Sequence, residues 1–243
     1  MEKLPRCLTK IILQKLDTDD LIMFRRVCKY WNLLFKYNIK YLIFDLIGFN
    51  ITDKDLKFFE NAYSIILADN KYITNKGLSY LKNVHCLNMI VCDQITDEGL
   101  SYIKNVNTIR VCANKNLTDK VFLNLKNVKT FQLSCPNING KGFVYLKKVE
   151  KIDLSCSKNI TDESLRYIQN VTDINLSGCE KITDKGLSYL KNVRKISLAI
   201  NKNITDEGLF YLKNSHTIDC TDCENITNQG LFHLQNVQNI NLS

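Results

Sequence analysis

The chain has 243 residues, 45% of them hydrophobic and 24% charged, a balance that excludes wholesale disorder and leaves ample length to bury a core. Its longest apolar stretch, near "YLIFDLIGF", is interrupted by Asp45 and too short to cross a bilayer, so no membrane partner is expected. The net charge of +8 gathers at one end, where residues 1–40 hold nine Lys or Arg against four acids; the remainder is nearly balanced, which speaks against nucleic acid as a partner.

In chain order, residues 1–40 come first. Leu8, Ile11, Ile12 and Leu16 form one helical apolar face, Asp17-Thr18-Asp19 reads as a cap and turn, and Leu21, Phe24, Val27, Cys28, Trp31 and Leu34 form a second face. Lys10 and Lys15 break up the apolar run that a secretory signal would need, so the cytoplasm and/or nucleus is expected. Two or three short helices of this kind carry more large apolar residues than forty residues can hide, and such surface marks a protein contact. Leu4-Pro5, Leu16-Asp17-Thr18-Asp19-Asp20-Leu21 and Val27-Cys28-Lys29-Tyr30-Trp31 resemble the F-box pattern, with Cys7 departing from it where the family usually carries Glu. The resemblance implies an all-α domain that docks on a Skp-family adaptor, and through it on a cullin scaffold. Its adaptor contacts would be Leu4, Pro5, Leu8, Ile12, Leu16, Leu21, Val27 and Trp31. No Gly/Ser/Pro linker separates Trp31 from a first strand expected around Leu42 to Leu46, which implies rigid spacing.

From Ile51 one phrase recurs. "ITNKGLSYLKNV" at Ile73, "ITDEGLSYIKNV" at Ile95 and "ITDKGLSYLKNV" at Ile182 belong to a series starting at Ile51, Ile73, Ile95, Leu117, Ile138, Ile160, Ile182, Ile204 and Ile226. The step is 22 residues except for one of 21 after Leu117, and a fixed period of that size means a solenoid. In the copy starting at Ile160, Ile174 and Leu176 alternate as a strand, whereas Leu165, Ile168 and Val171 are spaced as a short helical turn. Thr-Asp before that turn offers oxygens to its unpaired N–H groups. Asn70, Cys92, Asn114, Cys179, Asn201 and Cys223 recur where the backbone leaves the strand; a buried Asn can bond the groups exposed there, and Cys fits the same small slot. The pattern Val-x-x-Ile-x-Leu-x-x-Cys-x-x-Ile from Val171 to Ile182 resembles the cysteine-containing leucine-rich repeats.

The expected fold class is therefore α/β: a leucine-rich-repeat solenoid over residues 41–243, built of a first strand and nine repeats, with a parallel sheet on its concave face and short helices on its convex face, preceded by a small all-α F-box over residues 1–40. One coil cannot fold alone, since ordering 22 residues at roughly 1.5 kcal/mol each outweighs burial of about six apolar side chains at ~2 kcal/mol each. Strands ~4.8 Å apart make a sheet on the order of 40 Å wide, enough for a partner protein.

Outward strand positions, where the phrase varies, are the candidate substrate-binding residues: Asn88, Arg110, Gln132, Asp153, Asn175, Ser197 and Asp219, followed two residues on by Cys112, Ser134, Ser155, Ser177, Ala199 and Thr221. Cys92, Cys112, Cys135, Cys156, Cys179 and Cys223 read as a ladder of buried thiols, and Cys220-x-x-Cys223 has no second pair at zinc spacing, so no metal or cofactor is expected. His85, His216 and His233 fall on or beside the turning segments and read as surface or shallow packing. The Tyr and Lys residues of the phrase, such as Tyr189 and Lys191, are offset by equally regular Asp184 and Asp206 and read as a solvated outer face. No catalysis is expected. The F-box resemblance implies a substrate-recognition adaptor of an SCF-type ubiquitin ligase, with an unknown protein as substrate; the alternative is a repeat module that sequesters the adaptor or a host protein without promoting ubiquitination.

Overall fold

A computed structural model describes residues 43–242, together with Asp20. These residues fall into two compact units divided between Val106 and Asn107. The first contains β1 (Ile43–Asp45), β2 (Ser64–Ala68) and β3 (Cys86–Ile90). They pair parallel in chain order, with Phe44 beside Ile65 and Ile65 beside Leu87. The second contains β4 (Thr108–Cys112), β5 (Thr130–Ser134), β6 (Lys151–Asp153), β7 (Asp173–Asn175), β8 (Lys195–Ser197), β9 (Thr217–Asp219) and β10 (Asn239–Asn241). Each pairs parallel with its successor, so that Phe131, Ile152, Ile174, Ile196 and Ile218 lie in register. One apolar residue per coil thus stacks directly on the next. Those five side chains are all buried.

Short helical turns form the other layer, for example Asn75–Leu78, Asp162–Leu165, Asp184–Leu187 and Asp206–Leu209. Four residues cannot hold a helix by propensity alone, and side chains hold the N-terminal end of each of these turns. The Oγ1 atoms of Thr74, Thr183 and Thr205 accept the N–H groups of Lys76, Lys185 and Glu207, as an N-cap does. The aspartate that follows does something else. Asp162 accepts the N–H and the hydroxyl of Thr183, one coil further on, at 2.9 and 2.7 Å; Asp53 does so for Thr74, Asp184 for Thr205 and Asp206 for Thr227. Glycine in the phrase follows from that reach. A Cβ on Gly186 would fall on Asp162 Oδ1, and one on Gly208 on Asp184 Oδ1.

One junction inverts the pair. Gly140, in the left-handed region at φ 83°, stands where other coils have aspartate, and Ser164 stands where they have glycine. With no carboxylate above it, Ser164 is buried and hydrogen-bonds Thr161 O at 2.6 Å. A Cβ on Gly140 would instead meet the Ser164 side chain.

The slot at the strand exit is a second ladder. Asn201 Nδ2 donates to Leu176 O at 2.8 Å, Cys179 Sγ to Leu154 O at 3.0 Å, Ser157 Oγ to Leu133 O at 3.0 Å and Cys223 Sγ to Leu198 O at 3.1 Å. Each therefore satisfies a carbonyl of the preceding coil. Cys92 and Cys135 do the same at 3.6 Å toward Leu67 O and Val111 O. Two of the cysteines expected to be buried are not in this ladder. Cys112 ends β4 half-buried, and Cys156 is exposed at φ 58°. Cys156 stands one residue before the slot, which Ser157 fills in its coil, and Cys112 two residues before it, where Asn114 fills it.

Candidate protein-binding face

Within the second unit, strand alternation points every other residue away from the helical turns. Gln132, Asp153, Asn175, Ser197 and Asp219 come together as one row, all half-buried, lining a concavity of ≈ 390 Å³. Arg110 is exposed on β4, and Asn88 on β3 belongs to the first unit, where its Oδ1 is buried and accepts no hydrogen bond. A row that the variable-position reasoning did not single out also lines the concavity: Thr130, Lys151, Asp173, Lys195 and Thr217. The period of two that found the middle row would have found this one, since each of its members lies two residues earlier on the same strand.

The face is held by its own polar contacts. Asp153, Asn175 and Asp219 each accept the N–H two residues on, from Ser155, Ser177 and Thr221 at 2.9, 3.0 and 3.1 Å. These are Asx turns, which bend the chain off the strand. Ser197 Oγ donates to Asp219 Oδ2 at 2.9 Å, and Thr221 Oγ1 to Asp219 Oδ1 at 2.6 Å. Partial burial pushes the Asp219 carboxyl up, but the hydrogen bonds from Thr221 and Ser197 outweigh it and hold the group below its ordinary value. On β6 and β7, Lys151 Nζ meets Asp173 Oδ2 at 2.9 Å, a hydrogen-bonded pair that holds the lysine above its ordinary value. The hydroxyls are thus directed at carboxylate and amide oxygens, and none of His85, His216 or His233 lines the concavity. This constellation can grip a polar surface.

The candidate adaptor contacts Leu4, Pro5, Leu8, Ile12, Leu16, Leu21, Val27 and Trp31 lie outside the described residues. Their assignment rests on sequence, and there the family comparison is direct. The model of the F-box domain matches residues 1–42, and that of the leucine-rich repeat matches residues 167–191. The chain thus joins an F-box to a leucine-rich repeat, the pairing found in F-box/leucine-rich-repeat proteins. Neither match is to a catalytic family.

No curated protein matches the sequence. Among solved structures, a chain of the Rad7 and Elc1 complex in yeast is similar at a TM-score of 0.52 and 15% identity, over 82% of this chain and 68% of that one. A chain of the Drosophila Toll–Spatzle complex gives 0.62 and 17%, over 82% of this chain and 32% of its own length. An internalin from Listeria monocytogenes gives 0.55 and 12%, over 93% and 88%. The protein therefore spans about a third of the Toll chain and most of the internalin. At these identities the likeness establishes the solenoid fold.

Proposed function

We propose that this protein is the substrate receptor of an SCF-type cullin-RING ubiquitin ligase, acting in the cytoplasm or nucleus. The F-box, with its boundary near residue 40, docks on a Skp-family adaptor through Leu4, Pro5, Leu8, Ile12, Leu16, Leu21, Val27 and Trp31. The row Gln132, Asp153, Asn175, Ser197 and Asp219, with Arg110 in the same unit, holds a substrate protein, and Asn88 in the first unit is a separate candidate contact. The observation that carries this reading is the union in one chain of an F-box match at residues 1–42 with a repeat sheet whose outward row is polar and lines an open concavity. The receptor supplies no reacting group. Tethering a substrate beside a charged conjugating enzyme makes their encounter effectively intramolecular.

The test is capture of the Skp-family adaptor and cullin from eukaryotic lysate by the intact chain and by a Pro5→Ala/Trp31→Ala variant. Capture of both by the intact chain, lost in the variant, is expected. Adaptor captured without cullin would favour sequestration, and failure of a folded chain to capture adaptor would overturn the reading.

A further inference from the structure

The coil that starts at Ile226 carries no charge. Over Ile226 to Ser243 there is no Lys, Arg, Asp or Glu, whereas the corresponding stretches of the other eight repeats all carry them. Set against the coil that starts at Ile182, Asp184, Lys185, Lys191, Arg194 and Lys195 give way to Asn228, Gln229, Gln235, Gln238 and Asn239, and Ser188 gives way to Phe232. Each charged side chain is thus replaced by an amide.

The same coil is open. Ile182, Leu187, Val193, Ile196 and Leu198 are at most 3% exposed. Of their counterparts, Ile226, Leu231 and Val237 are only half-buried, while Ile240 and Leu242 are 38% and 47% exposed. Phe232 is 71% exposed. On β10, Asn239 donates its N–H to His216 O at 3.1 Å and Asn241 O accepts the Cys220 N–H at 2.8 Å, so the N–H and C=O of Ile240, between them, point away from β9. The result is a sheet edge with an apolar stripe beside it, and it lacks the lysine or proline with which edges are ordinarily protected.

We propose that this coil is a self-association surface, on which a second copy of the chain docks about a two-fold axis with the two β10 strands antiparallel. An axis perpendicular to the sheet through Ile240 sets this residue opposite itself, as a pair that exchanges both backbone bonds, and keeps the core side of one copy level with the core side of the other. The missing charges favour a copy over other occupants. A further coil stacking here would not require their removal, since the Ile182 coil keeps its charges while β8 pairs with β9 of the coil that follows. A protein of different sequence can answer a lysine with a carboxylate. Across a two-fold each surface meets itself, so a set such as Lys191, Arg194 and Lys195 would face a second positive set. An amide carries both a donor and an acceptor, and pairs with its own kind. Docking of this kind also covers the open apolar stripe of both copies.

The full chain is followed by sedimentation velocity over a concentration series, with hydrogen exchange measured on the same samples. The expected result is a concentration-dependent shift from a 28.1 kDa monomer to a dimer, with the peptide spanning Ile240 and Leu242 protected only as the dimer forms. Added salt should not weaken association, because the contact is free of charge. Gln235→Lys with Gln238→Arg and Asn239→Lys, which installs the residues of the Ile182 coil, should weaken association by more than about tenfold. Asp153→Arg with Asn175→Arg, on the concave row, should leave it unchanged. A chain that stays monomeric throughout, or a dimer in which the β10 peptide exchanges as in the monomer, would overturn the proposal. So would a dimer that salt dissociates, or one that the three restored charges leave intact. Exchange in the unaltered chain decides the matter even if a variant folds poorly.

Discussion

Gly186→Ala separates two physical effects of opposite sign. Gly186 lies in the helical turn Asp184–Leu187, where replacing glycine by alanine ordinarily stabilises by about 1 kcal/mol through helix propensity. Here the new Cβ would fall on Asp162 Oδ1 and lie 3.2 Å from both Asp162 Cγ and Leu165 Cδ1. Asp162 must withdraw, and with it go the bonds from Thr183 N at 2.9 Å and Thr183 Oγ1 at 2.7 Å. Hydrogen bonds to a charged acceptor contribute roughly 1.5–3 kcal/mol each. Taking the low end for a half-buried group, their loss outweighs the propensity gain and leaves a net destabilisation of about 2 kcal/mol. Urea unfolding followed by far-ultraviolet circular dichroism should show a lower midpoint at unchanged slope. A midpoint that rises, as propensity alone requires, would refute the reasoning. The sharper form is a double-mutant cycle: Asp162→Gly with Gly186→Ser copies the natural Gly140 and Ser164 pair, and should be more stable than the sum of the single changes by at least about 1 kcal/mol.

The other ladders and faces give further expectations. Asn201→Ala, which strips the donor from Leu176 O inside the core, should lower stability by about 1–3 kcal/mol, whereas Asn201→Cys, matching Cys179 and Cys223, should recover most of that loss in the same urea assay. The hydrogen bonds from Thr227 hold the Asp206 carboxyl below its ordinary value. Its stabilising contribution is therefore complete above the unfolded-state value, near pH 4, and is lost as pH falls through the lower folded-state value; Asp206→Asn should flatten that part of an acid titration followed by circular dichroism. Lys185→Gln breaks an ion pair with Glu163 whose side chains are 61% and 58% exposed, and should leave the urea midpoint where it is. On the candidate binding face, Asp153→Arg with Asn175→Arg should abolish substrate capture in lysate while adaptor capture persists; loss of both would point to misfolding instead.

Much of the architecture was legible because a repeat averages out local ambiguity. A single short apolar run cannot be told from a helix segment, but the same run recurring through the chain, with Asn or Cys at its exit in all but the Ser157 coil, admits one arrangement. The strand, the turn and the buried slot all followed from that register, as did the outward row from Gln132 to Asp219. The role of the aspartates did not. Asp162 and Asp184 sit on the first helical residue, where sequence reasoning assigns them to their own turn or to solvent; their partners are Thr183 and Thr205, 21 residues away. Nor did the positions of Cys112 and Cys156 follow, because cysteine serves equally in a buried slot and one or two residues before it.

By itself the sequence determined the period, the face each residue takes and the kind of molecule this is, since an F-box and a 22-residue phrase are patterns written in consecutive residues. Tertiary stacking decided what the phrase is for. The glycine is small because an aspartate from the preceding coil lies over it, and the inverted Gly140 and Ser164 pair shows the same constraint from the other side. Stacking also brought Cys223 against the Leu198 carbonyl. The physical reason is that a parallel coil places each residue against its counterpart one period away. What a side chain must avoid or satisfy there is set by another copy of the phrase, at a distance along the chain that local propensity does not reach.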